Sequence, residues 1–473
     1  MEKFPKYREK FTVARVTTAI ASATTTVASV RTTVASVRTT IARVTTTIAR
    51  ITTTLVRVRI TLARVKTTLA MDKFTLARGK TILRCETFPL HTDQATVQPV
   101  MQQKKILHIP NYYPPHIGGI EDVCHSIAAG LPEFSHTVIC FNDKPETEDS
   151  LYENIRVIRC GVWKKLFSQS ISLCFLKKLK QTFREFLPDT VHFHTPNPFS
   201  GVCLLMTLPK HVKLVLHWHS DIVEQKFIYL FYAPLEQRLL KRANVILATS
   251  PAYIEGSKPL TTFRHKVQVV QNTVNAKKLA LKDEDKPEIE KIKAQYGGKK
   301  ILFTFGRHVA YKGIHSLLEA VPMISDAAVI VIAGSGPLTE KLKSHPNAPR
   351  IFFPGRLSDR DLRRYLYAAD VFLFPSITRN EAFGIALAEA MYCGLPSVTF
   401  TIHASGVNWV SLHRETGIEA ENRNIKSMAE AINSLVSDSE LRETLGKNAA
   451  RRAREYFLID AVKEKLTDLY NAI

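Results

Sequence analysis

The feature that most constrains the fold is a rhythm of short apolar runs alternating with helical periodicity after Met101. The first half contains "KILHIP", "HTVICF", "IRVIRC", "TVHFHT", "VKLVLHW" and "NVILATS", and the second contains "KILFTFG", "AAVIVIAG", "RIFFPG", "VFLFPS" and "LPSVTF". Runs of this length and β-rich composition, bounded by turn or cap residues, are typical of strands buried in a parallel sheet. Strands that alternate with helices predict doubly wound α/β domains.

A charged stretch, "LKDEDKPEIEKIKAQYGGK", divides this rhythm into two parts. We therefore predict two Rossmann-like domains, at 101–280 and 300–455, a linker at 281–299, and a C-terminal helix at 456–473 that returns to the first domain. A chain of 473 residues can bury cores of this size without disulfides or metal. Ligands of such sheets bind beyond the carboxyl ends of the strands, so the site is predicted in the cleft where the domains face each other.

Residues 1–100 have a different sequence pattern, because a seven-residue unit recurs eleven times between Phe11 and Thr87. Its apolar positions are spaced three and four apart, as in a coiled-coil heptad. However, the units are rich in threonine and β-branched residues and contain few acids to pair with their arginines, which disfavours a helix. We favour a low-complexity extension without a role in the chemistry, and a coiled coil that binds partners is the alternative.

Charge and cysteine usage exclude several classes of protein. The formal net charge is +22, but residues 1–100 supply +12 of it, so the charge does not predict nucleic-acid binding. No apolar run approaches the ~20 residues that cross a bilayer, and no signal peptide is visible. The seven cysteines show no C-x-x-C and no His/Cys cluster, which argues for a reducing compartment and against structural zinc. We expect a cytoplasmic protein, with peripheral contact at the inner face of the plasma membrane as a further possibility.

Two loops at predicted strand ends carry residues suited to phosphate. In "FTFGRHVAYKG", Arg307 and Lys312 are five positions apart and could clamp a diphosphate, or could be solvated surface cations. In "VIAGSGPL", the turn formed by Gly334, Ser335 and Gly336 could let a ligand approach the backbone, or could be a tight connection only.

A third loop contains two glutamates eight positions apart in "RNEAFGIALAEAM". A helix is predicted to begin near Phe383 or Gly384, so Glu381 precedes a helix N-terminus, where an anion is favoured. Glu389 lies two turns along that helix, and its carboxylate is suited to accept hydrogen bonds from adjacent hydroxyls such as those of a ribose. The alternative is a capping residue and a surface charge. The apolar surroundings of Glu389 favour a function, since an unpaired buried carboxylate is costly.

The glutamate pair resembles the E-x₇-E element of retaining glycosyltransferases of family GT4, which have the GT-B fold. The resemblance covers about 104–470. It extends in order over "NYYPPHIGGIEDV", "LHWHSD", "ILATSPAY", "FGRHVAYKG", "AGSGPL", "YLYAADVFLFPS" and "EAFGIALAEAMYCGLP". The expected fold is therefore GT-B: two Rossmann-like doubly wound domains facing a central cleft, preceded by the heptad-repeat extension.

The resemblance implies roles for residues of the second domain. Arg307 and Lys312 would bind the donor diphosphate, Glu381 would contact the donor sugar, and Glu389 would hold the ribose. The backbone at the helix start would lie near the phosphates. The remaining residues implied on the donor side are Gly334, Ser335, Gly336, Phe383, Gly384 and Ile385.

The first domain would offer the acceptor face. Gly118 and Gly119 resemble the family's glycine-rich turn beside the donor phosphates, and His219 in "HWHSD" matches a histidine near the transferred sugar. Asp221 nearby could be a simple cap. Thr273 departs from the family, which has a glycine there, and this puts the geometry of that turn in doubt.

The implied reaction transfers a hexose-type sugar from a nucleotide-diphosphate donor with retention of configuration, using no metal and no other cofactor. The acceptor would be a glycan or a polyprenyl- or other lipid-linked glycan in the synthesis of a cell-surface polysaccharide such as lipopolysaccharide. We expect residues 164–187 to form a helix that packs on the sheet and turns a basic edge toward the membrane. The alternatives are a GT-B epimerase or phosphorylase and a non-catalytic interaction protein that uses the heptad repeat.

Overall fold

The computed structural model describes residues 103–116, 118–166, 169–222 and 226–473. The predicted extension at 1–100 lies outside the described residues. Residues Pro99–Ile473 form one compact unit, which contains both predicted domains. Among the helices of the described ranges, none combines the length and apolarity needed to cross a bilayer.

Two parallel sheets dominate the described part of the chain. The first has the order β10-β9-β8-β7-β1-β2-β4-β3, in which β3 alone runs antiparallel, and the second has the order β13-β12-β11-β14-β15-β16, entirely parallel. The strands are β1 Lys105–Ile109, β2 Ser135–Phe141, β3 Glu148–Tyr152, β4 Ile155–Cys160, β5 Lys164–Leu166, β6 Gln169–Ile171, β7 Thr190–Thr195, β8 Lys213–Trp218, β9 Val245–Ala248, β10 Val267–Val269, β11 Lys300–Arg307, β12 Ala328–Ser335, β13 Ile351–Gly355, β14 Val371–Phe374, β15 Ser397–Phe400 and β16 Gly417–Ala420.

Helices cover the faces of both sheets, as the predominantly apolar central strands require. They are α1 Gly119–Gly130, α2 Phe175–Glu185, α3 Pro198–Thr207, α4 Lys226–Arg242, α5 Pro251–Gly256, α6 Lys258–Thr261, α7 Ala276–Leu279, α8 Lys286–Gln295, α9 Ile314–Ala320, α10 Thr339–Lys343, α11 Asp359–Ala368, α12 Ile385–Tyr392, α13 Val407–Val410, α14 Ile425–Ser437, α15 Ser439–Tyr456 and α16 Asp460–Ala472.

The two halves of the chain are tied together by the connections that flank the second sheet. The predicted linker contains α8, whose Ile289 is buried in the second core, together with Tyr296 just beyond it. The chain then returns to the first sheet through α16. Its Leu466 and Tyr470 pack in the core under α1.

The predicted two-domain GT-B fold is confirmed, and each of the eleven predicted runs forms a strand. The sequence did not reveal β3, β10 or β16, which lie at the edges of the sheets. The single helix expected over 164–187 is wrong. Residues 164–166 and 169–171 pair as the antiparallel strands β5 and β6, and α2 begins at Phe175. The helix does pack on the sheet, because Phe175, Leu179 and Phe183 are buried in the first core.

Candidate active site

The ends of two neighbouring strands bring the first two predicted loops together. β11 and β12 are in register, so Gly306 lies beside Gly334 and Arg307 beside Ser335. Gly334 has φ +113°, and a Cβ there would lie 1.9 Å from the carbonyl oxygen of Gly306. Only glycine allows this close approach, which places Arg307 at the carboxyl edge of the sheet.

Arg307 is the exposed cation at this edge. Within the described residues its guanidinium forms no hydrogen bond or ion pair. Lys312 is nearby, because the positive charge of Arg307 acts to lower the pKa of the Lys312 ammonium. The two predicted phosphate-binding side chains therefore lie close together, and Arg307 remains available to an anion.

Lys312 is engaged instead by Glu381. Its ammonium forms an ion pair with the Glu381 carboxylate, which also accepts a hydrogen bond of 3.1 Å from the Ser376 hydroxyl. The Lys312 nitrogen also lies 5.0 Å from the centre of the Phe374 ring. Burial lowers the pKa of Lys312, but the attraction of Glu381 outweighs it and the pKa is raised overall. The pair is charged and shielded from solvent.

The helix predicted after Glu381 is α12, whose N-cap is Gly384 with φ +92° and ψ +63°. The Phe383 ring is buried, 5.5 Å from that of Phe457, so only its backbone can serve a ligand. Within the described part of the chain, no hydrogen bond uses the N–H groups of Phe383, Gly384 and Ile385. Unpaired N–H groups at a helix start attract anions.

This helix start faces the first domain. A Cβ on Gly119 would lie 2.7 Å from Cδ1 of Ile385, and one on Gly118 would lie 2.2 Å from the Glu121 carboxylate. Ile385 packs against the cores of both domains. The predicted glycine turn and the predicted phosphate-binding helix are thus in contact across the cleft.

Glu389 occupies a different environment, deeper in the same helix. It is 7% exposed, and burial raises the pKa of its carboxyl to about 7. The nearby Lys278 opposes this shift, whereas Asp122 and Asp359 reinforce it. Lys278 contacts Asp359 at 3.1 Å and Asp122 at 3.7 Å. These three residues line a cavity of about 680 Å³ between the two domains.

An ion pair that the sequence did not reveal bridges the cleft. Nη1 of Arg379 lies 3.0 Å from Oδ2 of Asp221, and the guanidinium stacks 4.8 Å from the centre of the Tyr253 ring. Asp221 also accepts hydrogen bonds from Trp218 Nε1 at 2.8 Å and Ser257 Oγ at 2.7 Å. Asp221 therefore does more than cap a local turn. No local pattern could have paired it with Arg379, because the two belong to different domains.

His219 lies at the end of β8 but is not joined to the glutamates. It is 5% exposed, and its Nε2 forms a hydrogen bond of 3.0 Å with His194 Nδ1. Burial lowers the pKa of His219 to about 3, and the neighbouring Asn272 acts in the opposite direction. No described contact links His219 to Glu381 or Lys312. The ring is neutral near pH 7, and a role in catalysis remains a prediction.

Two facing Rossmann-like domains, with a helix start of the second domain turned toward the first, define the GT-B class of glycosyltransferases. The sequence models of two families match the chain in succession. Glycosyltransferase Family 4 covers residues 117–278, and Glycosyl transferases group 1 covers residues 285–452. The chain belongs to these GT4-type glycosyltransferases and is a transferase.

Similar proteins agree with this assignment. O-antigen chain mannosyltransferase C of Escherichia coli is 29% identical over 375 residues, which are 78% of this chain and 98% of that protein. D-rhamnosyltransferase WbpZ of Pseudomonas aeruginosa is 29% identical over 359 residues, or 75% and 92% of the two chains. HepE of Anabaena, solved in complex with UDP-glucose, shares the fold with a TM-score of 0.62 at 19% identity, over 78% of this chain and all of that one.

Proposed function

We propose that this enzyme transfers a hexose-type sugar from a nucleotide-diphosphate donor to a glycan or lipid-linked glycan, with retention of configuration and without a metal ion. The observation that carries the proposal is the start of α12. The side chain of Ile385, its first residue, lies against Gly119 across the cleft, and the Lys312–Glu381 pair precedes the helix start.

The diphosphate would bind between Arg307, Lys312 and the helix start. Arg307 is exposed at the sheet edge, and an incoming phosphate can draw Lys312 away from Glu381. Two cations and a helix N-terminus can neutralise the charge that develops on the leaving group, which is the task a metal performs in other transferases. Gly334, Ser335 and Gly336 would supply backbone beside the phosphates. This charge balance supports metal independence.

The nucleoside would lie toward Glu389. Its carboxylate would accept hydrogen bonds from the two ribose hydroxyls. Lys278, whose charge acts on Glu389, lines the cavity of about 680 Å³, which is large enough for a nucleoside. Lys278 would hold Glu389 in its charged form once the ligand is bound. Sequence reasoning did not identify Lys278, because its position becomes informative only when α7 is placed beside α12.

Retention would follow from attack on the same face that the leaving group departs from. The acceptor hydroxyl would form its bond to the anomeric carbon as the carbon–phosphate oxygen bond breaks, and the departing phosphate oxygen would take the acceptor proton. Glu381 would orient the donor sugar through its hydroxyls. His219, which is neutral and buried, would support the sugar-facing end of the first domain without acting as a base.

The sugar and the acceptor are inferred from relatives. The two similar curated proteins are named for mannose and D-rhamnose, which share the manno configuration, and the first is named for the O-antigen chain. We therefore propose a manno-configured donor sugar and a role in cell-surface polysaccharide synthesis. Glucose is the second candidate, because HepE was solved with UDP-glucose.

The test is a transfer assay with UDP- and GDP-linked mannose, rhamnose and glucose and acceptor glycans on a lipid carrier, run in parallel with chelator and with an excess of a divalent ion. We expect turnover with a manno-configured donor and an α-linked product from an α-linked donor, identified by NMR. Inversion of the anomeric carbon, or activity that requires an added divalent ion, would refute the corresponding part of the proposal. Interconversion of free nucleotide sugars would indicate the epimerase alternative.

We also propose that the β5–β6 strand pair and its neighbours contact an anionic membrane near a lipid-linked acceptor. Trp163 is 67% exposed and Leu173 76% exposed, and Lys164 and Lys165 beside them are exposed as well. Exposed apolar side chains next to lysines suit an interfacial contact. We expect salt-sensitive flotation with anionic vesicles that the Trp163→Ala variant weakens. Equal flotation with neutral vesicles would contradict an electrostatic contact.

A further inference from the structure

The first sheet contains a layer of imidazoles that the proposed reaction does not use as a whole. Its members come from four strands and stack on one another, with neighbouring ring centres as close as 4.1 Å. Burial lowers the pKa of each of these rings. The layer consists of His108, His136, His192, His194, His217 and His219.

A backbone carbonyl fixes the protons at one end of this layer. The Leu131 carbonyl accepts a hydrogen bond of 2.9 Å from His136 Nε2, so the lone pair of His136 is on Nδ1. That lone pair accepts from His108 Nε2 at 3.0 Å. The other ring nitrogen of His108, Nδ1, then carries a lone pair. It is buried and has no hydrogen-bond partner among the described residues.

At the other end of the layer, His194 Nδ1 and His219 Nε2 share a hydrogen bond of 3.0 Å. The second ring nitrogen of His194, Nε2, is buried and has no hydrogen-bond partner among the described residues. It offers a lone pair when His194 Nδ1 donates to His219. Two unpaired imidazole nitrogens inside a core call for an electrophile.

A cysteine thiol lies beside these two unpaired ring nitrogens. Cys124 of α1 is fully buried, and its sulfur and the ring nitrogens of His108 and His194 offer ligand atoms that all lie within 4.8 Å of one another. A sulfur and a nitrogen ligand of one tetrahedral ion lie about 3.6 Å apart, so ion binding would draw these ligand atoms together by up to about 1 Å. Thiolate and imidazole together select Cu⁺ and Zn²⁺ over harder cations.

We propose that His108, Cys124 and His194 bind one Cu⁺ or Zn²⁺ ion as a structural site in the first domain. Binding would release the Cys124 proton and leave a thiolate on the metal. A second group, formed by His192, His194 and His217, is less suitable, because both ring nitrogens of His192 are occupied by Tyr470 at 2.5 Å and His217 at 3.2 Å.

The ion would fasten α1 to the first sheet. Cys124 lies on α1, whose first residue is Gly119 in the turn that contacts Ile385. His194 is also hydrogen-bonded to His219. A metal at this point would fix the helix that carries the glycine turn, and it would not enter the chemistry of transfer. Sequence spacing could not reveal the site, since the ligands belong to β1, α1 and β7.

The test uses the full chain without an affinity tag, stripped of metal under reducing, anaerobic conditions. Zn²⁺ and Cu⁺ are titrated separately against chromophoric chelators, and bound metal is counted by mass spectrometry. We expect one equivalent of one of these ions, a higher melting temperature with the ion, and at least a tenfold loss of affinity in Cys124→Ser. The matched control is Cys203→Ala. Cys203 is also buried in the first domain but packs in a different hydrophobic cluster, so this variant should bind the ion as the wild type does.

Co²⁺ provides a readout that does not depend on a variant that might not fold. The wild-type protein should show a thiolate-to-cobalt charge-transfer band at one equivalent, and added Zn²⁺ should abolish it. The proposal is overturned if the folded wild-type chain binds none of these ions at micromolar concentration. It is equally overturned if folded Cys124→Ser retains the wild-type affinity and the wild-type melting shift.

Discussion

Lys312 and Glu381 form an ion pair, although the family resemblance gives one to the donor phosphates and the other to the donor sugar. The pairing is physically reasonable because either charge alone would be costly in this shielded position. Donor binding would then exchange one partner for another, with phosphate replacing the carboxylate at Lys312 and sugar hydroxyls replacing the ammonium at Glu381. Ser376 would hold the carboxylate during the exchange.

This exchange predicts opposite effects for the two members of the pair. Glu381→Gln should lower the rate of transfer about 100-fold or more, because it removes a contact to the reacting sugar. The affinity for nucleoside diphosphate should be unchanged or higher, since Lys312 is released. Lys312→Met should weaken nucleoside diphosphate binding about tenfold or more through loss of a charge-assisted hydrogen bond. Calorimetry and initial rates measure the two effects.

The control is Lys300→Met, which removes a lysine at the start of β11, the strand that precedes the Lys312 loop; Lys300 pairs there with Asp370. That variant should bind nucleotide as the wild type does. A Glu381→Gln enzyme that keeps full turnover would show that the sugar lies elsewhere. Arg307→Ala should weaken both nucleotide binding and transfer.

Glu389 predicts a dependence on pH. Because its pKa is about 7, compared with 4.5 for an ordinary glutamate, the carboxylate becomes charged as the pH rises from 6 to 8. A carboxylate accepts both ribose hydroxyls, so the affinity for a nucleotide sugar should rise roughly tenfold over this interval. Glu389→Gln should remove this rise. A wild-type affinity that is flat between pH 6 and 8 would contradict the role.

The same group affects stability in the opposite direction. The folded state prefers the neutral carboxyl, so the stabilising contribution is complete below pH 4.5 and is lost as the pH rises through 7. At pH 8, Glu389→Gln should therefore increase the free energy of unfolding by up to about 3 kcal/mol. Chemical denaturation at pH 5 and pH 8 tests this, since the variant should gain much more stability at the higher pH.

At the scale of elements, α12 organises the cleft because its start is both a phosphate site and a contact between domains. The sequence predicted the start of this helix to within two residues, since Gly384 and the apolar run after it are local signals. The contact with Gly119 could not be predicted from any local pattern. The contact depends on how the two sheets face each other. The Asp221–Arg379 ion pair could not be predicted from the sequence for the same reason.

Gly119→Val tests this contact. Its new side chain would push Ile385 and the start of α12 away from the turn, because even a Cβ would lie 2.7 Å from Ile385 Cδ1. We expect about a tenfold loss of transfer and a partial recovery when Ile385→Ala is added. Ala129→Val, at an exposed position of α1, controls for the cost of valine in this helix. A loss that Ile385→Ala does not relieve would separate the turn from α12.

At the scale of the whole molecule, the described fold accounts for the proposed chemistry with residues after Met101. The two-domain fold was predictable because buried parallel strands are continuous apolar runs. The edge strands β3 and β16 were not, because their composition is mixed and partly exposed. The histidine layer was also hidden, since its members lie in separate strands and meet only in the assembled sheet.

Removal of residues 1–100 should leave turnover within about twofold of the full chain, since each proposed donor contact lies beyond Met101. Initial rates with the same donor and acceptor, after circular dichroism has shown equal folding, measure this. A well-folded truncated chain without activity would give the repeat a part in catalysis and would contradict the assignment of the whole site to the two domains.

The most direct measurement is a crystal structure of the enzyme with a nucleotide sugar bound. We predict the diphosphate within about 3 Å of the N–H groups of Phe383 and Gly384 and of the Lys312 ammonium, with the ribose on Glu389. The sugar should lie between Glu381 and the Gly118–Gly119 turn. A donor whose phosphates bind away from the start of α12 would contradict the central claim.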